Sequence, residues 1–243
     1  MTIEQRFQAA LTHAEAQDYQ AAATAFTMII QEDASHGPSY YNRGLAYFRM
    51  QAFEKAIRDY SQAISLLPPR ADYYADRAVA YHLHGQNDLS LKDFDQAAIM
   101  EPENPYRYAS RAYVKAKAGD VKGAIEDYQK TISLDPNDAI AHNNLGMLQE
   151  QLGYKEQAEF HYKRADNLDP NKLPGQAPPP AKEINQKEEK PEPEKEAPAK
   201  PTTPQPTGKL TAGYFGKVLK DTLTTREGFR EFLGFLFPKK GKS

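Results

Sequence analysis

The chain contains residue types that often perform chemistry, but none of them stands in a recognisable catalytic motif. His82 and His84 are two positions apart, so on a helix they would point to different faces and make poor metal partners. The remaining histidines, without a metal-binding or triad motif around them, are His13, His36, His142 and His161. Cysteine is absent, which excludes thiolate nucleophiles and disulfides. We therefore expect no enzymatic activity, no metal site and no cofactor.

Charged residues recur at a fixed interval through the middle of the sequence. The arginines are Arg43, Arg77 and Arg111, and the matching aspartates are Asp59, Asp93 and Asp127, each set spaced by 34 residues. An arginine that always accompanies a carboxylate is usually neutralised by it, so we predict Arg–Asp pairs packed between helices. An exposed arginine ladder that binds anions is the alternative interpretation of the same columns.

The same interval orders the apolar residues of the first 172 positions. It separates the prolines Pro68, Pro102, Pro136 and Pro170, the aromatics Phe26, Tyr60, Phe94, Tyr128 and Tyr162, and the small residues Ala10, Gly44, Ala78, Ala112 and Gly146. A constant period of this length is typical of stacked-repeat proteins, which present a long concave surface. The repeats span 3–36, 37–70, 71–104, 105–138 and 139–172, with no insertion between them.

Each repeat predicts two amphipathic helices, A and B, joined by a short turn. In the second repeat, helix A runs from Pro38 to Met50 and helix B from Phe53 to Leu66. The turn is marked later by Gly85, Gly119 and Gly153, where a residue free to adopt positive φ ends helix A. The small residues allow the two helices to approach closely, and the aromatic rings fill the volume between neighbouring repeats.

The second repeat resembles the tetratricopeptide repeat (TPR) family through Tyr40, Gly44, Tyr47, Ala56, Tyr60, Ala63 and Pro68. The resemblance covers about 170 residues, in line with the 34-residue period of that family. It implies an all-α fold, an α-solenoid of five helix-turn-helix repeats forming a right-handed superhelix with the A helices on its concave face. It also implies a protein–protein interaction scaffold or adaptor that binds a peptide or helix in the groove. The alternative is a structural protein that self-assembles into homo-oligomers.

The resemblance places a partner-binding groove along the A helices. Its predicted residues are Tyr41, Asn42, Leu45, Asp72, Asp76, Val79, Tyr106, Tyr113, Asn143 and Asn144. Asp72 and Asp76 lie one helical turn apart and predict a local negative spot, so we expect a neutral to basic partner with apolar anchors. The same two acids occupy basic positions of the carboxylate clamp of some TPR proteins, so we predict no binding of acidic chaperone peptides.

Two further segments follow the repeats. Residues 173–208 are rich in Pro, Glu and Lys and predict a disordered linker. Residues 209–243 predict a basic amphipathic helical tail, whose apolar positions Phe229, Phe232, Leu233 and Leu236 follow i, i+3, i+4, i+7 spacing. The tail could dock on its own repeats, on another protein or on an anionic membrane, and the sequence leaves these three open.

The overall charge of −2 conceals an acidic repeat region and a basic tail. This distribution argues against a nucleic-acid-binding protein, whose positive charge would lie on the folded face. No apolar stretch approaches the length of a membrane-spanning helix, and no signal peptide is recognisable at the start. A cytoplasmic location is the expectation.

Overall fold

The computed structural model describes residues 1–168 of the chain. The predicted linker at 173–208 and the predicted tail at 209–243 lie outside this range. The described residues are all-α, and their helices are α1 (Ile3–Glu15), α2 (Tyr19–Glu32), α3 (Gly37–Arg49), α4 (Phe53–Leu66), α5 (Ala71–Leu83), α6 (Asn87–Met100), α7 (Pro105–Ala118), α8 (Val121–Leu134), α9 (Ala139–Gln151) and α10 (Lys155–Leu168).

Helices that are adjacent in the sequence pack against each other. Odd-numbered helices are the A helices and even-numbered ones the B helices, and the two helices of each repeat make the most extensive contacts. Each B helix then packs against the A helix of the next repeat. Five hairpins therefore stack in sequence into an α-solenoid, which confirms the predicted fold class.

A residue in the left-handed conformation closes helix A of every repeat. Gly85, Gly119 and Gly153 have φ values of 82°, 90° and 87°, as the sequence predicted. Gln17 and Gln51 occupy the same position in the first two repeats, with φ values of 62° and 59°. The turn geometry is thus common to all five repeats, although two of them lack the glycine that adopts it most easily.

The close approach predicted between helices A and B is present. A Cβ atom added to Gly44 would lie only 2.8 Å from Cδ1 of Tyr60, and one added to Gly146 would lie 2.9 Å from Cε1 of Tyr162. Tyr60 is 1% exposed, whereas Tyr162 in the last repeat is half-buried. The aromatic column therefore fills the space that the small column leaves, and it does so less completely in the last hairpin.

Candidate functional site

Each of the three recurring arginines joins helices of two repeats. Arg77 donates from Nε and Nη2 to the two carboxylate oxygens of Asp93, at 2.7 and 2.8 Å, and from Nη1 to Oγ of Ser61 at 3.0 Å. Arg43 has the equivalent partners Asp59 and Thr27, and Arg111 has Asp127 and Asp95. The predicted Arg–Asp pairs are confirmed, and they are bidentate.

The second partner residue of each arginine was not predicted from the sequence. Thr27, Ser61 and Asp95 also recur every 34 residues, so the signal was present as one more column. Their chemical types differ, and only the structure shows that each one accepts a hydrogen bond from an arginine Nη1. The arginines therefore stabilise the contact between neighbouring repeats as well as the hairpin.

Apolar and aromatic members of the predicted groove recur on successive A helices. Leu45 on α3, Val79 on α5 and Tyr113 on α7 share one position of the repeat. Leu45 and Tyr113 are half-buried, while Val79 is only 5% exposed. The His82 ring meets that of Tyr113 edge-on at a centroid distance of 5.5 Å. Burial raises the pKa of Tyr113 to about 12, so its hydroxyl stays protonated at neutral pH.

Tyr41 and Asp76 join the second repeat to the third. The Tyr41 hydroxyl donates to Oδ2 of Asp76 at 2.5 Å, and the Tyr41 ring lies 4.7 Å from that of Tyr73. Asp76 is 6% exposed. Burial raises the pKa of its carboxyl to about 7, and the charge of Asp72 adds to the effect while the bond from Tyr41 opposes it. At neutral pH this carboxyl is therefore only partly ionised.

Asp72 is ion-paired on both sides. Its Oδ1 accepts from Arg107 at 2.6 Å and its Oδ2 accepts from Arg70 at 2.8 Å. Arg107 is buried and also binds Glu101. The predicted negative spot is thus largely neutralised, because Asp72 is paired and Asp76 retains much of its proton. Arg107 was missed because no other repeat has a cation at its position.

The predicted asparagines already donate hydrogen bonds within the protein. Asn42 donates to the carbonyl of Pro38, and Asn144 donates to the Tyr128 hydroxyl at 3.0 Å. Asn143 and Asn144 are each 9% exposed. An amide NH₂ with such a partner must exchange it before binding the backbone of another molecule. Tyr106 is half-buried on α7 and completes the set of predicted groove residues.

Within residues 1–168, no cluster of three or more His, Cys, Asp or Glu side chains is arranged to hold a metal ion. None of the helices in that range combines the length and the apolar character that crossing a membrane requires.

Profiles of the tetratricopeptide repeat match the sequence at residues 38–68 and 139–172, and a TPR-repeat profile matches residues 112–153. The chain is a tetratricopeptide repeat protein. Its array of paired helices is that of a protein-interaction scaffold, the general role of TPR folds. No sequence among the curated proteins matches this TPR protein.

Solved structures share the fold of this TPR protein at low sequence identity. A crystal structure of MamA is 20% identical with a TM-score of 0.63, covering 65% of this chain and 93% of that one. MamA from Desulfovibrio magneticus RS-1 is 15% identical with a TM-score of 0.65, covering 68% and 94%. YrrB, described as a TPR protein with an unusual peptide-binding site, is 17% identical with a TM-score of 0.61, covering 69% and 86%.

Proposed function

We propose that this TPR protein is an adaptor that holds a helix or extended segment of a partner protein against its A helices. The observation that carries the proposal is the row of half-buried Tyr41, Leu45, Tyr106 and Tyr113 on α3 and α7. Tyrosine supplies a large contact area with little loss of rotamer freedom, and leucine adds apolar area. Leu45 and Tyr113 share one position of the repeat, two repeats apart, and contacts spread over that span suit a long ligand better than a small molecule.

The charges beside this row support one kind of partner. Asp72 is paired with two arginines, and Arg107 is engaged by both Asp72 and Glu101. Asp76 is buried and keeps much of its proton near neutral pH. The acids of this cluster still outnumber its two arginines, so we expect a partner segment that is neutral to basic, with apolar or aromatic anchors. An acidic C-terminal peptide would find no uncommitted cation among these residues and is not expected to bind.

A peptide selection with matched variants tests the proposal. Peptides selected from a displayed random library against the full chain should be enriched in aromatic and aliphatic residues and depleted in acidic ones. Tyr113→Ala should weaken their binding by at least about tenfold, since truncating an aromatic anchor typically costs more than about 1.4 kcal/mol. Binding is measured by fluorescence anisotropy of the labelled peptide.

The control changes a tyrosine of the same array outside the proposed row. Tyr154 is 54% exposed in the turn before α10, so Tyr154→Ala should leave the peptide affinity unchanged. Equal affinity of the selected peptides for Tyr113→Ala and the unmodified chain would refute binding at this row. Selected peptides rich in Asp and Glu would refute the proposed partner chemistry.

The tail stays a second docking or anchoring element in this proposal. Its apolar residues, Phe229, Phe232, Leu233 and Leu236, lie outside the described residues, so the proposal rests on their helical spacing and on the neighbouring lysines. Flotation of the full chain with anionic liposomes, compared with a chain ending at Gly208, tests the membrane alternative. Equal flotation of the two chains would exclude the tail as a membrane anchor.

A further inference from the structure

The last hairpin contains a pair of histidines where three other repeats have an Arg–Asp pair. His161 on α10 occupies the position of Asp59, Asp93 and Asp127, and Leu145 replaces the arginine. His142 lies one turn before Leu145 on α9 and contacts His161. The Nδ1 atoms of His142 and His161 are 2.9 Å apart, and the two ring centroids are 5.2 Å apart.

The hydrogen bonds of this pair define which nitrogen carries each proton. Nε2 of His142 lies 3.2 Å from the carbonyl oxygen of Pro136, which can only accept, so this nitrogen is protonated. In the neutral ring, Nδ1 of His142 then has a free lone pair, and it accepts from Nδ1–H of His161. An imidazole whose outer N–H binds a backbone carbonyl is the arrangement typical of metal-ligating histidines.

Imidazole binds a metal as the neutral ring. Burial disfavours the charged form of both His142 and His161. His142 is 4% exposed and His161 is half-buried. Two further charges act on His142 from nearby, Asp135 and Arg164, and their signs oppose each other.

We propose that His142 and His161 form an open two-imidazole site for a divalent transition metal of the Ni²⁺ or Cu²⁺ type. Imidazole–metal bonds of about 2.0–2.1 Å at a right angle place the two nitrogens about 2.9 Å apart, as in square-planar or octahedral coordination. The bound ion links α9 to α10, so it replaces the Arg–Asp pair that the last hairpin lacks. This site departs from the expectation drawn from the sequence, which treated the two histidines separately.

Metal binding requires a rearrangement of protons and rings. His161 moves its proton from Nδ1 to Nε2, so both Nδ1 lone pairs become available and no net proton is released. The two rings rotate so that these lone pairs point to a common centre rather than at each other. Water fills the remaining coordination positions, because the protein supplies two ligands.

Calorimetric titration of the untagged full chain with NiCl₂ near neutral pH tests the site. We expect one Ni²⁺ per chain and a higher midpoint of thermal unfolding in the presence of the ion. His161→Gln and His142→Gln should each weaken binding by more than about tenfold, since changes even to the residues around metal ligands cost about 10- to 100-fold. His84→Gln, a change to an exposed histidine of α5's end, should leave the affinity unchanged.

Two results would overturn the proposal. The first is a full chain that binds no Ni²⁺, and the second is a folded His161→Gln variant that binds it as tightly as the unmodified chain. Electron paramagnetic resonance of the unmodified chain with Cu²⁺ keeps the test decisive if the variants fail to fold. Two coordinated nitrogens per copper support the site, and none or one contradicts it.

Discussion

At the scale of single residues, the Arg–Asp pairs decide how firmly one repeat is attached to the next. Arg77 is 17% and Asp93 10% exposed, so removing the arginine leaves a largely buried carboxylate without its partner. We expect Arg77→Met to lower the free energy of unfolding by about 2–4 kcal/mol, slightly below the range for a fully buried pair. Urea denaturation followed by circular dichroism measures the change.

An exposed pair of the same type is the control for this experiment. Arg58 lies 3.3 Å from Glu54 on the surface of α4, with both side chains more than 60% exposed. Arg58→Met should change stability by less than about 0.5 kcal/mol. An Arg77→Met variant as stable as the unmodified chain would contradict the structural role of the column.

The buried carboxyl of Asp76 makes stability depend on pH in an unusual direction. Its pKa is about 7 in the folded chain, against an ordinary value of 3.8, so the folded state retains a proton that the unfolded state releases. The stabilisation that protonated Asp76 contributes is complete below its pKa of 3.8 in the unfolded chain and is lost as the pH rises through about 7. We expect this group to reduce the free energy of unfolding by up to about 4 kcal/mol across that interval.

Asp76→Asn isolates this contribution. Urea denaturation of both proteins at several pH values between about 4 and 8 gives the difference in stability between them. Contributions of the nearby Asp72, Arg49 and Arg107, and of the histidine pair, whose pKa values shift downward, are present in both proteins. A difference that does not vary with pH would exclude the raised pKa of Asp76.

At the scale of the helices, the A-to-B turns decide how well each hairpin closes. Gln17 is exposed and adopts a φ of 62°. In this left-handed conformation any residue that carries a Cβ is strained, because the Cβ lies too close to the following carbonyl oxygen. We expect Gln17→Gly to raise the free energy of unfolding by about 0.5–1 kcal/mol, because relief of this strain exceeds the added entropy of the unfolded glycine. Thermal and urea denaturation of the full chain measure the gain.

The reverse substitution in a later turn is the matched control. Gly119 has a φ of 90°, and no neighbouring atom lies within 4 Å of an added Cβ, so Gly119→Ala changes only the backbone energy. It should lower the free energy of unfolding by about 1 kcal/mol. Unchanged stability in both variants would show that these turns do not strain the chain.

At the scale of the whole array, the sequence alone predicted the stacking because the same pattern of proline, aromatic and small residues recurs every 34 residues. Helix B of the second repeat was predicted at Phe53–Leu66 and is found there, and helix A was displaced by a single residue. The Arg77–Asp93 pair was predictable for the same reason, since its members recur in step. Five copies of one pattern define the helix boundaries better than a single copy would.

The contacts that the sequence did not predict are those that occur in a single repeat. Arg107 binds Asp72 and Glu101 in a position where no other repeat has a cation. His142 and His161 meet only in the last hairpin. Without a second copy of the pattern, the sequence offered no way to recognise that these side chains face each other.

The sequence by itself therefore determined the number of repeats, the helix pairs and the Arg–Asp columns, since spacing along a helix defines which side chains share a face. Only the tertiary structure decided which polar groups are neutralised. Charge and proton affinity depend on burial and on partners 16 to 35 residues away, such as Asp93 for Arg77 and Tyr41 for Asp76. The expected negative spot at Asp72 and Asp76 became a nearly neutral one for that reason.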